Sequence, residues 1–394
     1  MNNTPRANRL HIGIYGRRNA GKSSLINALT GQDIALVSPH AGTTTDPVFK
    51  AMELHPVGPV VFIDTAGFDD EGDLGQLRVK RTQEVVAQTD IAIMVIDASS
   101  TCDMECEKKW LEMLTQRKVP VIVAFNKCEK ETEIPEIEAD FVVKVSAMTG
   151  FGIESLRSAI ADSIPEDFMR EKILGDMVED GGLVLLVMPQ DIQAPKGRLI
   201  LPQVQTLREL LDRKCISVCT TVDGIDNALA SLNRDPDLII TDSQCFKTVY
   251  EKKPKGSALT SFSILFAAYK GDLDKFIAGA SQLGEMTEKS RVLIAEACTH
   301  VPLSEDIGRV KIPNLLRKKF GQELEIINVC GNDFPDIDEL AGFDLVIHCG
   351  ACMFNRKHVM NRIAAAEAAG VPITNYGVVL AELTGILDKV KLPK

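Results

Sequence analysis

Gly16-Arg17-Arg18-Asn19-Ala20-Gly21-Lys22-Ser23 decides the fold. Glycine, four residues, then Gly-Lys-Ser is the spacing of a phosphate-binding loop. It sits where the mechanism needs it, between the apolar run 10–15 and a helix-like stretch. Glycines let backbone N–H groups curl around phosphates, Lys22 reaches the β- and γ-phosphates, and Ser23 ligates Mg²⁺. Outward from this loop, apolar runs at 60–63, 91–96 and 119–125 alternate with helix-like stretches, which predicts a mostly parallel sheet with helices on both faces. Pro165-Glu166-Asp167 closes the block.

The rest of a nucleotide site follows in order. Asp64-Thr65-Ala66-Gly67 ends a strand, where Asp64 would hold Mg²⁺ through water and Gly67 would offer its N–H to the γ-phosphate. Gly42-Thr43-Thr44-Thr45-Asp46 is a switch loop, with Thr44 the favoured residue to close on Mg²⁺. Asn126-Lys127-Cys128-Glu129 follows a strand and reads guanine, supported by Ser146-Ala147. Glu129 stands where GTPases carry Asp, and the extra methylene shifts the carboxylate that receives the guanine edge. The nucleotide-binding set is Gly16, Arg17, Asn19, Ala20, Gly21, Lys22, Ser23, Ser24, Thr44, Asp64, Gly67, Asn126, Lys127, Glu129, Ser146 and Ala147. Catalysis is expected from Lys22, Thr44, Asp64 and Gly67, and Mg²⁺ from Ser23, Thr44 and Asp64.

This front block, with Ser24 after the loop and Phe68 after Asp64-Thr65-Ala66-Gly67, resembles the Era/MnmE branch of translation-factor-class GTPases. The resemblance implies that Asn19 helps bind K⁺, which stands in for an arginine finger, and that slow intrinsic hydrolysis is K⁺-stimulated. Phe68 matches the apolar residue that replaces a water-orienting glutamine in that branch. Asp69, Asp70 and Glu71 are candidates to orient the water.

A second constellation lies at the back of the chain: Cys298-Thr299-His300, then His348-Cys349-Gly350-Ala351-Cys352. Each group follows a strand-like run, 292–297 and 345–347, so parallel strands would bring both to the edge where open α/β sheets gather ligands. Spacing alone leaves three readings open. Cys298, Cys349 and Cys352 with one histidine would satisfy zinc. The three cysteines would also hold an iron–sulfur cluster with one non-cysteine position. Buried structural thiols with a redox pair are the third. The remaining cysteines, Cys102, Cys106, Cys128, Cys215, Cys219, Cys245 and Cys330, read as core or surface thiols.

Composition fits this reading. The 394 residues allow two or three domains. A net charge of −11 argues against a dedicated nucleic-acid binder. No apolar run approaches the ~20 residues of a membrane span, and the polar N-terminus lacks a signal-peptide core. A cytoplasmic location with reduced thiols follows, and ten cysteines are then metal ligands plus small hydrophobes, not disulfides. The middle of the chain begins with a strand at 183–187 and continues with helical stretches 204–213 and 225–233 and a strand at 238–241. Lys252-Lys253-Pro254-Lys255-Gly256 marks a boundary. Helical stretches 315–320 and 356–369 follow. The expected fold is α/β: a P-loop GTPase domain at 1–168, a smaller α/β domain at 169–256 and another at 257–394, with no strict internal repeat.

The two motif sets together, one behind an Era-like GTPase and a middle α/β domain, resemble the HydF family of [FeFe]-hydrogenase maturation proteins over the whole chain. The resemblance implies a homodimer with 169–256 as dimerisation domain, and a [4Fe–4S] cluster on Cys298, Cys349 and Cys352. His300 and His348 are candidates for the fourth position or the second shell. It implies a scaffold that receives a di-iron precursor from the radical enzymes HydE and HydG and passes it to apo-[FeFe]-hydrogenase, with GTP, Mg²⁺ and K⁺ as further cofactors. The competing class is an MnmE- or Era-like regulatory GTPase with a zinc-binding C-terminal domain. Acidity, the short stretch before the first strand, and the lack of a basic, aromatic-rich segment after residue 182 weigh against it.

Overall fold

The computed structural model describes residues 5–31, 47–67, 79, 81–99, 104–129, 133–166, 168, 172–189, 199–297, 306–331 and 333–393. They form two compact units, Met1–Arg170 and Glu171–Lys394.

The first unit is built on a six-stranded sheet ordered β2-β3-β1-β4-β5-β6. Its strands are β1 (Leu10–Tyr15), β2 (Val48–Leu54), β3 (Gly58–Asp64), β4 (Ile91–Asp97), β5 (Val121–Asn126) and β6 (Phe141–Lys144). Only β2 runs antiparallel, against β3. β1 and β5 are buried along their whole length, as strands covered on both faces must be, which is why they read as continuous apolar runs. Helices α1 (Lys22–Thr30), α2 (Glu105–Gln116) and α3 (Ile153–Asp162) cover the sheet. Leu25, Leu29 and Leu156 pack on one face, Trp110, Leu111 and Leu114 on the other. Parallel pairing of β3, β1, β4 and β5 puts the ends of those strands, and so every motif after them, on one edge.

The second unit holds two four-stranded sheets. One contains β7 (Leu183–Val187), β8 (Ile216–Thr220), β9 (Leu238–Thr241) and β10 (Ala258–Ser261). The other contains β11 (Arg291–Glu296), β12 (Glu325–Cys330), β13 (Leu345–His348) and β14 (Ile373–Asn375). All neighbours are parallel. The orders β8-β7-β9-β10 and β12-β11-β13-β14 are the same winding used twice, so a repeat absent from the residues is present in the topology. The helices are α4 (Leu201–Asp212), α5 (Ile225–Ala230), α6 (Phe246–Lys252), α7 (Phe262–Lys270), α8 (Leu273–Ser281), α9 (Ile312–Phe320), α10 (Ile337–Leu340), α11 (Arg356–Ala368) and α12 (Tyr376–Leu383). One apolar cluster takes Leu185, Ile239 and Leu259 from one sheet and Leu293, Val346 and Ile373 from the other, and each sheet has a further cluster on its other face.

The expected division after residue 256 falls inside the first of these sheets. Residues 253–257 connect α6 to β10, and β10 pairs with β9 from Ala258 to Ser261. The proline and glycine there mark a turn within a sheet, not a gap between domains. No helix among the described residues is long and apolar enough to cross a membrane.

Candidate functional site

Gly16 leaves β1 with φ +148° and Gly21 precedes α1 with φ +92°, conformations that L side chains rarely adopt. A Cβ at Gly16 would overlap the Val95 carbonyl, and one at Gly21 would overlap the Asn126 amide. The two glycines therefore let the loop close against β4 and the base-reading motif. No side chain caps α1, so its first N–H groups stay available to an anion. Lys22 is buried, and its Nζ donates to the carbonyls of Gly16 and Arg17 at 2.8 Å each. That holds the ammonium over the mouth of the loop.

Ser23 and Asp64, expected to share Mg²⁺, touch: Ser23 Oγ donates to Asp64 Oδ2 at 2.7 Å. Asp64 is buried, and its Oδ1 has no hydrogen-bond partner. Burial raises its pKa, while Ser23, Lys22 and Lys50 pull it back down. An orphaned carboxylate oxygen beside a hydroxyl is a donor set that fits a hard divalent cation. Asn19 holds φ +58°. Gly67 closes the described part of its motif. Thr44, with the rest of 42–46, and Phe68, Asp69, Asp70 and Glu71 lie outside the described residues.

Asn126 ties three motifs together. Its amide donates to the Ala20 carbonyl at 2.9 Å and its oxygen accepts from the Ala147 N–H at 3.0 Å. Ser146 Oγ donates to Glu129 Oε1 at 2.9 Å, which fixes the longer carboxylate. A cavity of about 640 Å³ opens here, lined among others by Gly21, Asn27, Asn126, Lys127, Glu129 and Ala147, within the usual range of small-ligand sites. Replacing Glu129 by alanine is expected to reduce the preference for GTP over ATP by about 10²-fold or more, because an unpaired guanine edge forfeits charge-assisted hydrogen bonds. Competition binding of the two nucleotides measures it; an unchanged ratio would remove Glu129 from the base site.

Two partners escaped the sequence reading. The Arg17 guanidinium makes a two-point contact with buried Glu107 of α2, Nε to Oε1 at 2.7 Å and Nη2 to Oε2 at 2.9 Å. Arg17 thus anchors the loop to α2. Lys127 pairs with Asp97 at the end of β4. Ninety residues separate Arg17 from Glu107, and no local pattern announces such a pairing.

In the second unit, β11 and β13 are parallel neighbours with Ala295 opposite His348, so the chain entering 298 and the chain entering 349 leave the sheet side by side. Cys349 Sγ accepts the N–H groups of Ala297 at 3.0 Å and Ala351 at 3.4 Å. Ala351, held at φ +51°, folds the backbone around that sulfur. Burial pushes the Cys352 thiol up, and Lys270 pulls it back. Cys298 and His300 lie outside the described residues. Among the described residues no group of three or more His, Cys, Asp or Glu is gathered as a metal site; Cys349 and Cys352 are the two described cysteines of the expected three. A sulfur receiving two backbone N–H groups at an open sheet edge fits a thiolate ligand of a cluster.

His348 faces inward. Arg362 Nη1 donates to its Nε2 at 3.1 Å, and its Nδ1 therefore carries the proton toward the Cys349 carbonyl at 2.8 Å. Burial, then the Arg362 charge, lower its pKa to about 3, so the ring is neutral with both nitrogens engaged. In this arrangement both ring nitrogens are hydrogen-bonded, one to Arg362 and one to the Cys349 carbonyl.

Family models were matched along the chain. The model of the hydrogen maturase F dimerization domain covers residues 173–271, and that of the hydrogen maturase F tetramerization domain covers 274–392. The chain belongs to the HydF family. A third model, described as a 50S ribosome-binding GTPase, covers residues 11–127, and this HydF chain is accordingly a P-loop GTPase followed by two association domains. The region expected to carry the cluster is thus the one whose family description is tetramerization. The tRNA modification GTPases MnmE of Pectobacterium carotovorum subsp. carotovorum (strain PC1) and of Pectobacterium atrosepticum are each 32% identical over 161 residues, 39% of this chain. The chain spans 35% of the length of these curated relatives. Among solved structures, Aquifex aeolicus Era bound to GDP·AlF4⁻ is 20% identical over 54% of this chain and 92% of its own, at a TM-score of 0.35. A probable GTP-binding protein EngB is 24% identical over 39% of this chain and 98% of its own, at 0.29.

Proposed function

We propose that this HydF-family GTPase is a cytoplasmic scaffold that binds a [4Fe–4S] cluster through Cys298, Cys349 and Cys352 and delivers a di-iron precursor to apo-[FeFe]-hydrogenase. HydE and HydG are the proposed suppliers of that precursor, and a homodimer or its tetramer the working form. The observation that carries the cluster is Cys349: a half-exposed sulfur with two backbone N–H donors, three residues before a second cysteine and hydrogen-bonded to the residue before a third. A cluster with one non-cysteine position supplies a replaceable attachment point for cargo. His300 stays a candidate for that position, and His348 supports Cys349 from below. In this reading residues 1–168 bind and hydrolyse GTP, and the two association lobes meet near residue 272 instead of 256.

In the nucleotide site Lys22, the uncapped first turn of α1 and the Gly67 N–H would neutralise charge on the γ-phosphate as water attacks phosphorus and the bond to GDP breaks. Mg²⁺ held by Ser23, Thr44 and Asp64, and K⁺ beside Asn19, would supply further positive charge there. Asn126, Glu129, Ser146 and Ala147 would select guanine, and nucleotide state would act as a switch.

Anaerobic iron–sulfide reconstitution of the wild type beside the Cys298→Ala, Cys349→Ala, Cys352→Ala triple variant tests the cluster. A reduced [4Fe–4S]⁺ EPR signal with stoichiometric iron is expected in the wild type and none in the variant. Stoichiometric zinc with no cluster under any condition would leave a zinc-stabilised regulatory GTPase as the better account.

A further inference from the structure

A buried cation lies beneath the Cys349–Cys352 loop. Arg362 of α11 is 3% exposed. Its guanidinium is sandwiched between Phe334 and Phe354, 4.7 Å from each ring centroid. One Nη donates to His348 and the other to the Gly331 carbonyl, while Nε is buried without a partner. Its hydrogen-bonded neighbours are an imidazole and a backbone carbonyl, and no carboxylate pairs with Arg362 among the described residues. An unneutralised buried charge is costly, and a fold keeps one where an opposite charge arrives from outside. Through His348 the cation is hydrogen-bonded in series to the Cys349 backbone. Lys270 of α7, also 3% exposed, stands at the other end of the loop, its Nζ on the Phe354 carbonyl at 3.0 Å and its charge felt by Cys352.

We propose that Arg362, seconded by Lys270, is the fixed counter-charge of the Cys349–Cys352 site, stabilising its more negative state and thereby raising the reduction potential of the cluster bound there. The proposal rests on the cluster reading above and adds a residue that touches no ligand: Arg362 is a positioning residue acting through His348 and through its field. Reduction adds one negative charge to a thiolate-ligated cluster, and a buried cation in low dielectric favours the more negative form over the less negative far more than one in water.

The test reconstitutes wild type, Arg362→Gln, Arg362→Lys and Lys270→Gln anaerobically and follows the EPR signal of the reduced cluster against applied potential. Thermal melting and GTP turnover report on the fold of each variant. Glutamine keeps a donor for His348 while removing the charge. Arg362→Gln is expected to lower the reduced-to-oxidised ratio at fixed potential about tenfold, equal to about 59 mV for a one-electron couple. Arg362→Lys should stay within twofold of wild type, and Lys270→Gln should fall in the same direction as Arg362→Gln. A loaded Arg362→Gln protein with an unchanged ratio would overturn the counter-charge, as would Arg362→Lys falling equally far, which would make packing the cause. If Arg362→Gln does not fold, an unchanged ratio in Lys270→Gln overturns it instead. A wild type that takes up no cluster overturns the scaffold reading itself, an outcome visible before any variant is compared.

Discussion

Lys22→Ala is expected to lower GTP turnover by about 10²–10³-fold, the loss seen when one preorganised donor is withdrawn from developing charge. Lys22 is fixed by the Gly16 and Arg17 carbonyls, so its ammonium is positioned before any nucleotide arrives and needs little reorganisation on binding. Removing it leaves the loop carbonyls facing the phosphates with nothing to offset them. Both kcat and GTP affinity should fall. Arg at the same position retains charge but cannot fit between the two carbonyls, and it should rescue affinity better than kcat. Steady-state release of phosphate, with Tm as a control for folding, decides the matter. Turnover within threefold of wild type would show that another group carries the γ-phosphate charge.

Gly279→Val is expected to destabilise the second unit by about 3 kcal/mol, the upper part of the overpacking range, and to lower its Tm by roughly 10 °C at 2–4 °C per kcal/mol for a body this size. Gly279 lies inside α8, where glycine ordinarily weakens a helix by ~1 kcal/mol relative to alanine. It is tolerated because α8 rides directly on the backbone of β14. A Cβ there would overlap the Ile373 carbonyl oxygen and stand 2.5 Å from the Ile373 carbonyl carbon. Strand backbone cannot rotate away as a long side chain can, so the helix itself must withdraw and uncover Phe276 and Ala280, both buried. Differential scanning fluorimetry of the two proteins measures the shift; a variant that melts with the wild type would mean that α8 has room the contacts do not show.

The nucleotide domain was legible because its chemistry is local. Eight consecutive residues make the phosphate loop, and strands such as β1 and β5, buried on both faces, show as unbroken apolar runs. Edge strands gave no such signal: β8 is half-exposed throughout, β12 alternates weakly, and β14 is three residues long. Helices α7 and α12 were missed for the opposite reason. Packed on several sides, Phe262–Lys270 and Tyr376–Leu383 are apolar nearly all round and lose the 3.6-residue stripe. The sequence placed both cysteine groups at one sheet edge, but that β11 and β13 are direct neighbours came only with the structure. So did the inward turn of His348, since it depends on Arg362, fourteen residues on in another element. Arg17 was read as a nucleotide contact, yet its side chain is spoken for by Glu107. Pairings of this kind are set by tertiary register, which spacing along the chain does not encode.

Two sheets wound alike but sharing one interior have a calorimetric meaning. The apolar core runs without a break from Leu185 to Val390, and the chain end returns to the earlier sheet, where the Lys391 N–H donates to the Leu259 carbonyl at 2.7 Å. Losing either lobe would open this shared cluster to water, although each keeps a buried cluster of its own, around Leu186 and Phe266 in one and Ile294 and Leu316 in the other. The family boundary between residues 271 and 274 is thus bridged by shared apolar packing, and one cooperative heat-absorption step, not two, is the calorimetric result expected for residues 171–394.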